Sequence, residues 1–366
     1  MKKYLLSIAA LLLGLLAHSQ EADDLGNYAE LSVVARLDLN PVFGSEPEFT
    51  LGNSSIYTYF TGSASEHFSW TLQNHWFSGY SFLGEDADPF EQFKGLGYSN
   101  TTNFIDMAYV DLSFGGWTFT LGKQCITTDG HEYDADDWDV YTGLATPLWN
   151  DLACYQWGGT VAYTTPSEMS TFSLQMTTSP FGERPFGSGL WSWSAQWIGQ
   201  YDWFLPTWSF SVLGREGNPY GSTPRDYDFL ISLGNAFDFD DWSICLDWSN
   251  TAGVGYEHNL VVLDRLTTFE YAPSSYGLLK GSTFHGRVDY APSERWNLAL
   301  QGNYIYRPED VKEWIPSWWN AGAIAEFFPL RDSDALRLHA YVAYDSLLEA
   351  FSFNVGARYD LTFNLW

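Results

Sequence analysis

The chain has 366 residues, with 45 acidic and 17 basic side chains for a formal charge of −28, and 18% of it is Phe, Trp or Tyr. That charge balance excludes nucleic-acid binding, which needs a basic footprint. Mean hydropathy is only −0.20, so the many aromatic residues must be interleaved with polar ones instead of gathered in long apolar segments.

The first element is a leader. Lys2 and Lys3 form a positive start, an apolar run covers residues 5–16, and Ala17-His18-Ser19 supplies the small-x-small pattern of a signal-peptide cleavage site. The run is about twelve residues, too short to cross roughly 30 Å of bilayer as a helix. The expected division is residues 1–19 as signal peptide and residues 20–366 as one domain.

From there on the dominant pattern is period two, which puts alternate side chains on opposite faces of a strand. Leu31, Val33, Ala35, Leu37 and Leu39 alternate with Ser32, Val34, Arg36 and Asp38. The same alternation recurs at Phe68–Trp70–Leu72, Trp117–Phe119–Leu121, Phe172–Leu174–Met176, Trp193–Ala195–Trp197 and Trp242–Ile244–Leu246. It returns at Leu336–Leu338–Ala340–Val342 and in the last strand at Phe353, Val355, Ala357, Tyr359, Leu361 and Phe363. Short turns are expected at 63–66, 115–116, 165–168, 204–206, 238–241, 292–294 and 330–334. Longer acidic or Gly/Pro-rich loops are expected at 41–53, 78–103, 127–155, 179–190, 216–225, 250–280, 307–316 and 345–350. Seven turns and eight loops make fifteen connections, hence about sixteen strands.

Short turns on one side, long loops on the other, and strands with one apolar and one polar face are the layout of a transmembrane β-barrel. A soluble sandwich also alternates, but its polar face would carry many Lys and Glu; here that face is mostly Ser, Thr, Asn, Gln and Gly. The fold class read from the sequence is therefore all-β, a single antiparallel transmembrane barrel with long extracellular loops and short periplasmic turns.

With the leader, the alternating strands and the C-terminal Trp366, nearly the whole chain resembles the outer-membrane porins of Gram-negative bacteria. Leu121-Gly122-Lys123-Gln124 is similar to a strand end in phosphate-selective porins. The last strand departs from the porin pattern, since Trp366 has the opposite parity to Tyr359, Leu361, Phe363 and Leu365. The resemblance implies residence in the cell outer membrane and passive diffusion of small hydrophilic solutes or ions. It implies lipids and such solutes as partners, with further copies of the chain an open option. The alternatives are an outer-membrane barrel enzyme of the hydrolase class, and a structural or adhesive barrel with a filled lumen.

Three constellations are candidates for chemistry. Arg36 and Asp38 on the first strand should meet Arg358 and Asp360 on the last when the barrel closes. Arg337 and His339 extend that cluster, and His285, Arg287 and Asp289 continue it round the wall. Their charges would either sort solutes at a constriction or brace the wall as ion pairs. The loop 127–155 holds Asp134, Asp136, Asp137 and Asp139, which suit either Ca²⁺, a cation taking six to eight oxygens, or a solvated acidic loop. Its aromatic second half suits a segment folded into the barrel mouth. Cys125 and Cys154 flank that loop with opposite parity, which favours separate thiols, and Cys245 reads as a small lumen filler. The three cysteines fit no metal-ligand spacing. Trp191, Trp193, Trp197 and Trp203 point to the lipid side, whereas Trp318, Trp138, Trp149 and Trp314 are better placed for sugars. His339 and His285 have lumen parity, but no nucleophile motif accompanies them.

Overall fold

The computed structural model describes residues 27–44, 48–50, 54–78, 105–128, 130–133, 142–148, 152, 154–181, 186–216, 225–252, 280–312, 316–331 and 333–365. The expected leader, the carboxylates Asp134, Asp136, Asp137 and Asp139, and Trp138, Trp149, Trp314 and Trp366 lie outside them.

The strands are β1 (Tyr28–Phe43), β2 (Glu48–Thr50), β3 (Ser55–Ser65), β4 (Phe68–Ser78), β5 (Ile105–Phe114), β6 (Trp117–Cys125), β7 (Tyr155–Thr164), β8 (Ser170–Thr178) and β9 (Trp191–Gly199). They continue with β10 (Phe204–Glu216), β11 (Arg225–Phe239), β12 (Trp242–Thr251), β13 (Gly281–Ser293), β14 (Trp296–Tyr306), β15 (Trp318–Phe327), β16 (Leu336–Asp345) and β17 (Ala350–Asn364). β2 and β3 both pair with β1 and together fill one place in the wall, so the wall has sixteen strands. Neighbours in sequence pair antiparallel throughout, and β1 pairs with β17 to close the sheet. The expected all-β class, a single closed antiparallel barrel of about sixteen strands, is the observed one. Closure leaves no unpaired edge, which removes the association hazard of an open sheet.

The two faces separate by parity. Leu37, Leu121, Leu174 and Leu300 on the outer face are 58–67% exposed. Their inward neighbours include the Arg36–Asp38 ion pair, Thr120, Ser173, Gln175 and Gln301. Aromatic pairs mark the turn end of the outer face, among them Trp242 with Tyr290 at 4.3 Å and Trp296 with Phe327 at 4.7 Å between ring centroids.

Several boundaries differ from the sequence reading. The expected turn at 204–206 is strand; the chain reverses one step earlier, where Tyr201 and Phe204 exchange backbone hydrogen bonds around Asp202 at φ 44°. Pro206 fits a strand because the β9–β10 ladder begins only at Thr207, opposite Ile198, so its missing N–H costs no ladder bond. β1 runs on through Pro41 to Phe43, and the segment expected as loop contains β2. The connection between β16 and β17 is a four-residue turn, 346–349, despite lying on the loop side. The β1–β17 ladder keeps one register from Phe43–Phe351 to Glu30–Asn364, and Trp366 lies outside the described residues.

Candidate functional site

The interior is built from two things: the inward row of each strand and the loop joining β6 to β7. The loop's base is closed by Ile126 N–H donating to Cys154 O at 2.7 Å. From there it crosses to the far wall. Ser211 on β10 donates to Thr127 O at 2.8 Å, and Ser232 on β11 donates to Thr128 O at 2.9 Å. A His131 ring nitrogen lies 2.6 Å from Leu205 O, and Glu132 N–H donates to Asp247 Oδ2 of β12 at 2.7 Å. Gly234 makes the approach possible, since a Cβ there would stand 2.7 Å from Gly130 Cα and 2.8 Å from His131 N.

Further on, the loop reaches β14–β16. Leu144 is fully buried against Ala299, Ile324, Tyr341 and Ala343, while its carbonyl accepts from Gln301 at 3.0 Å and Asn303 at 2.5 Å. The return leg buries Leu148 and Leu152 with Ile126, Phe181, Leu213 and Leu230. Two turns of the loop are clasped together by Glu132, whose carboxylate accepts from Thr146 N–H and Oγ–H, each at 2.7 Å. Burial pushes the Glu132 carboxyl up to about 7, against the opposing pull of the two Thr146 hydrogen bonds. A small cavity lies under the clasp, lined by Glu132, Asp247, His285, Ser232, Thr283 and Leu148 among others. The described residues of the 127–155 loop are thus folded into the barrel, one of the two readings its sequence allowed.

The expected lumen cluster is assembled by barrel closure. Arg36 of β1, Arg358 of β17 and Arg337 of β16 are direct partners across adjacent strands. Each has a carboxylate beside it. Arg36 Nε lies 3.0 Å from Asp38 Oδ2, Arg358 holds Asp360 at 2.7 and 2.9 Å, and Arg337 holds Glu326 of β15 at 3.0 Å. Arg287 holds Asp289 at 2.7 and 2.8 Å, and His285 meets Asn303 Oδ1 at 2.7 Å. Glu326 was not anticipated; its parity within the alanine-rich β15 was the available signal.

One contact spans three strands. His339 Nε2 of β16 lies 2.5 Å from Asp38 Oδ1 of β1, passing over β17. The residue between them is Gly356, where any Cβ would overlap the Asp38 carboxylate and stand 2.5 Å from His339 Nε2. Burial divides the cluster. Arg36, Asp38, Arg337, His339, Glu326 and His285 are buried, whereas the Arg287, Asp289, Arg358 and Asp360 side chains keep 12–31% exposure. A Ser–His–Asp relay would need a hydroxyl on His339 Nδ1, and that atom has no hydrogen-bond partner.

Other candidates are placed as follows. Trp318 is buried with Ile305 and Val311, the Arg307 guanidinium 5.3 Å above its ring, so it offers solutes no face. Lys123 is 2% exposed and its ammonium donates to Ile105 O at 2.5 Å, which withdraws it from the lumen. Cys125, Cys154 and Cys245 form no disulfide with one another. Among the described residues no group of three or more His, Cys, Asp or Glu is arranged to hold a metal ion.

The closed sixteen-strand barrel is a fold shared with solved outer-membrane proteins. They include OmpF of Salmonella typhi in complex with daunomycin (TM-score 0.62, 11% identity, 92% of this chain and 98% of that one). The outer-membrane channel DcaP of Acinetobacter baumannii gives TM-score 0.58 at 11% identity over 92% of this chain and 98% of that one. OmpT of Vibrio cholerae in its trimer form gives 0.53 at 11% identity over 91% of this chain and all of the other. No family model and no curated protein matches the sequence.

Proposed function

We propose that this protein is an outer-membrane porin, a water-filled passage for passive diffusion of small hydrophilic solutes or ions. One observation carries the reading: the described segments of the β6–β7 loop dock inside a closed, polar-lined barrel, where they would narrow the passage. The exposed apolar outer face, ending in aromatic pairs, is the surface a bilayer would cover. Residues 1–19 are assigned as the export signal. The similar Vibrio cholerae OmpT is described as a trimer, which supports a homo-oligomer here.

In this reading Arg358, Asp360, Arg287 and Asp289 are the charges that solutes meet, while Arg36, Asp38, Arg337, His339 and His285 stiffen the wall behind them. Calcium at Asp134, Asp136, Asp137 and Asp139 remains part of the proposal, as an optional ligand of the loop. Liposome swelling tests the function: vesicles containing the purified protein should swell in isosmotic solutions of small hydrophilic solutes. Vesicles that stay unswollen in every such solute, although the barrel is folded, would remove the porin reading.

A further inference from the structure

Resting on that porin reading, we infer that the preferred solutes are uncharged, hydroxyl-rich molecules of the carbohydrate class. The inference comes from how charge is distributed round the interior.

On the arc from β3 to β9 the inward rows are mostly Ser, Thr, Gln and Tyr, with Met107, Gly122, Gly158, Ala162 and Ile198 as uncharged exceptions. Their one described charged side chain is Asp111, whose Oδ1 already accepts from Thr120 Oγ1 at 2.5 Å. Asp106 and Lys123, near the loop end of this arc, are buried to 1% and 2% exposure. The hydroxyls bond laterally to one another, as in Ser113 with Thr118 at 3.1 Å and Thr164 with Thr171 at 2.9 Å. Each hydroxyl is donor and acceptor at once, so such a row can exchange partners with a passing hydroxyl at little cost.

The opposite arc has charges, but they are closed. Arg358 and Arg287, the two arginines with solvent access, each grip the aspartate two residues on with two hydrogen bonds. Arg36, Asp38, Arg215, Asp228, Glu326 and Arg337 are buried, Asp247 is half-buried against Glu132 N–H, and Glu30, Asp226, Asp238 and Asp345 lie at strand ends. An ion entering the narrow section sheds hydration, and only an uncompensated counter-charge would repay it. Among the described residues, the ions of the middle of the wall are paired with a counter-ion or held by a hydrogen bond. The −28 charge of the chain is therefore not the charge its described lumen wall presents.

The neutral arc also has two aromatic faces. Tyr59 on β3 and Tyr109 on β5 point inward and are half-buried, on strands either side of β4. Tyr59 is level with Gln73, and Tyr109 with Thr71 one layer nearer the turns. Tyr57 stacks behind Tyr59 at 6.5 Å and 22°. An aromatic face beside hydroxyl and amide donors matches a sugar ring, which is apolar on its faces and polar round its rim.

The test compares glucose with gluconate and glucosamine, which are similar in size and differ in charge. In proteoliposome swelling, glucose should enter at least about threefold faster than either ion, measured as its salt. In a planar bilayer, maltohexaose should reduce the ion current reversibly. Tyr109→Ala should weaken that block at least about threefold with little change in conductance, and Tyr109→Phe should retain it. Gluconate or glucosamine entering as fast as glucose would overturn the inference, as would a block unchanged in a folded Tyr109→Ala. Should the variants fail to fold, the wild-type swelling series decides alone. Absence of swelling in all three solutes would instead refute the porin reading itself.

Discussion

Gly356 offers a direct test of how the barrel is held at its seam. Substituting alanine puts a methyl carbon onto the Asp38 carboxylate oxygen and 2.5 Å from His339 Nε2, where ordinary contact begins near 3.4 Å. Asp38, 0% exposed, must then swing away, losing its 2.5 Å contact with His339 and its 3.0 Å approach to Arg36. Breaking a buried ionic pair by displacing one partner costs about 3–5 kcal/mol, at least a hundredfold in the folding equilibrium. Gly302→Ala is the matched control, because its new Cβ would meet nothing closer than 3.5 Å and should change stability by less than about 1 kcal/mol. Urea unfolding in lipid vesicles, followed by Trp fluorescence, reads both variants. If Gly356→Ala unfolds within about 1 kcal/mol of the wild type, the three-strand bridge contributes nothing and the reasoning fails.

Other expectations follow from the loop and the charged wall. Glu132, raised by burial to about 7, favours the docked loop when protonated; that contribution is complete below its ordinary value near 4.5 and is lost as pH rises through 7. Protease cleavage within 127–155 should therefore speed up above pH 7 in the wild type and lose this pH step in Glu132→Gln. Leu144→Ala removes a fully buried side chain at the loop's contact with β14–β16, which should weaken docking by about 2–5 kcal/mol and raise conductance noise or mean conductance. Arg358→Ser should move the reversal potential in a salt gradient toward cation preference, whereas Arg36→Ser should chiefly lower stability, because it strands buried Asp38. Maleimide labelling of intact cells should modify Ser346→Cys and leave Ser293→Cys unlabelled, fixing which barrel end faces outward.

Much of this architecture was legible because a strand's period of two is unforgiving: a one-residue slip would send Leu37 inward and Arg36 into the apolar face. The partnership of Arg36 with Arg358 followed from closure, needing only the first and last strands. Parity gives the face a side chain points to but not what covers it. The burial of Arg36, Asp38 and His339, and the capping of Trp318 by Arg307, therefore belong to the fold and not to the local pattern. The docking of the 127–155 loop depends on Gly234 and Leu144, residues 90 positions apart in the chain whose fit no local pattern announces. In the sequence Glu132 is one acid in an acidic loop, and only the fold brings Thr146 against it. The turn at 201–203 was hidden because Asp202, not Pro206, takes the positive φ.

The central claim is that the barrel conducts passively through a lumen narrowed by its own loop, and single-channel recording tests it most directly. Purified protein added to a planar bilayer should give discrete, ohmic steps that scale with bulk salt concentration. Disrupting the loop's anchor with Leu144→Asp should enlarge those steps at both low and 1 M salt, since the narrowest section sets the resistance. Folded protein that inserts without steps, or steps unchanged by Leu144→Asp at either salt, would contradict the account.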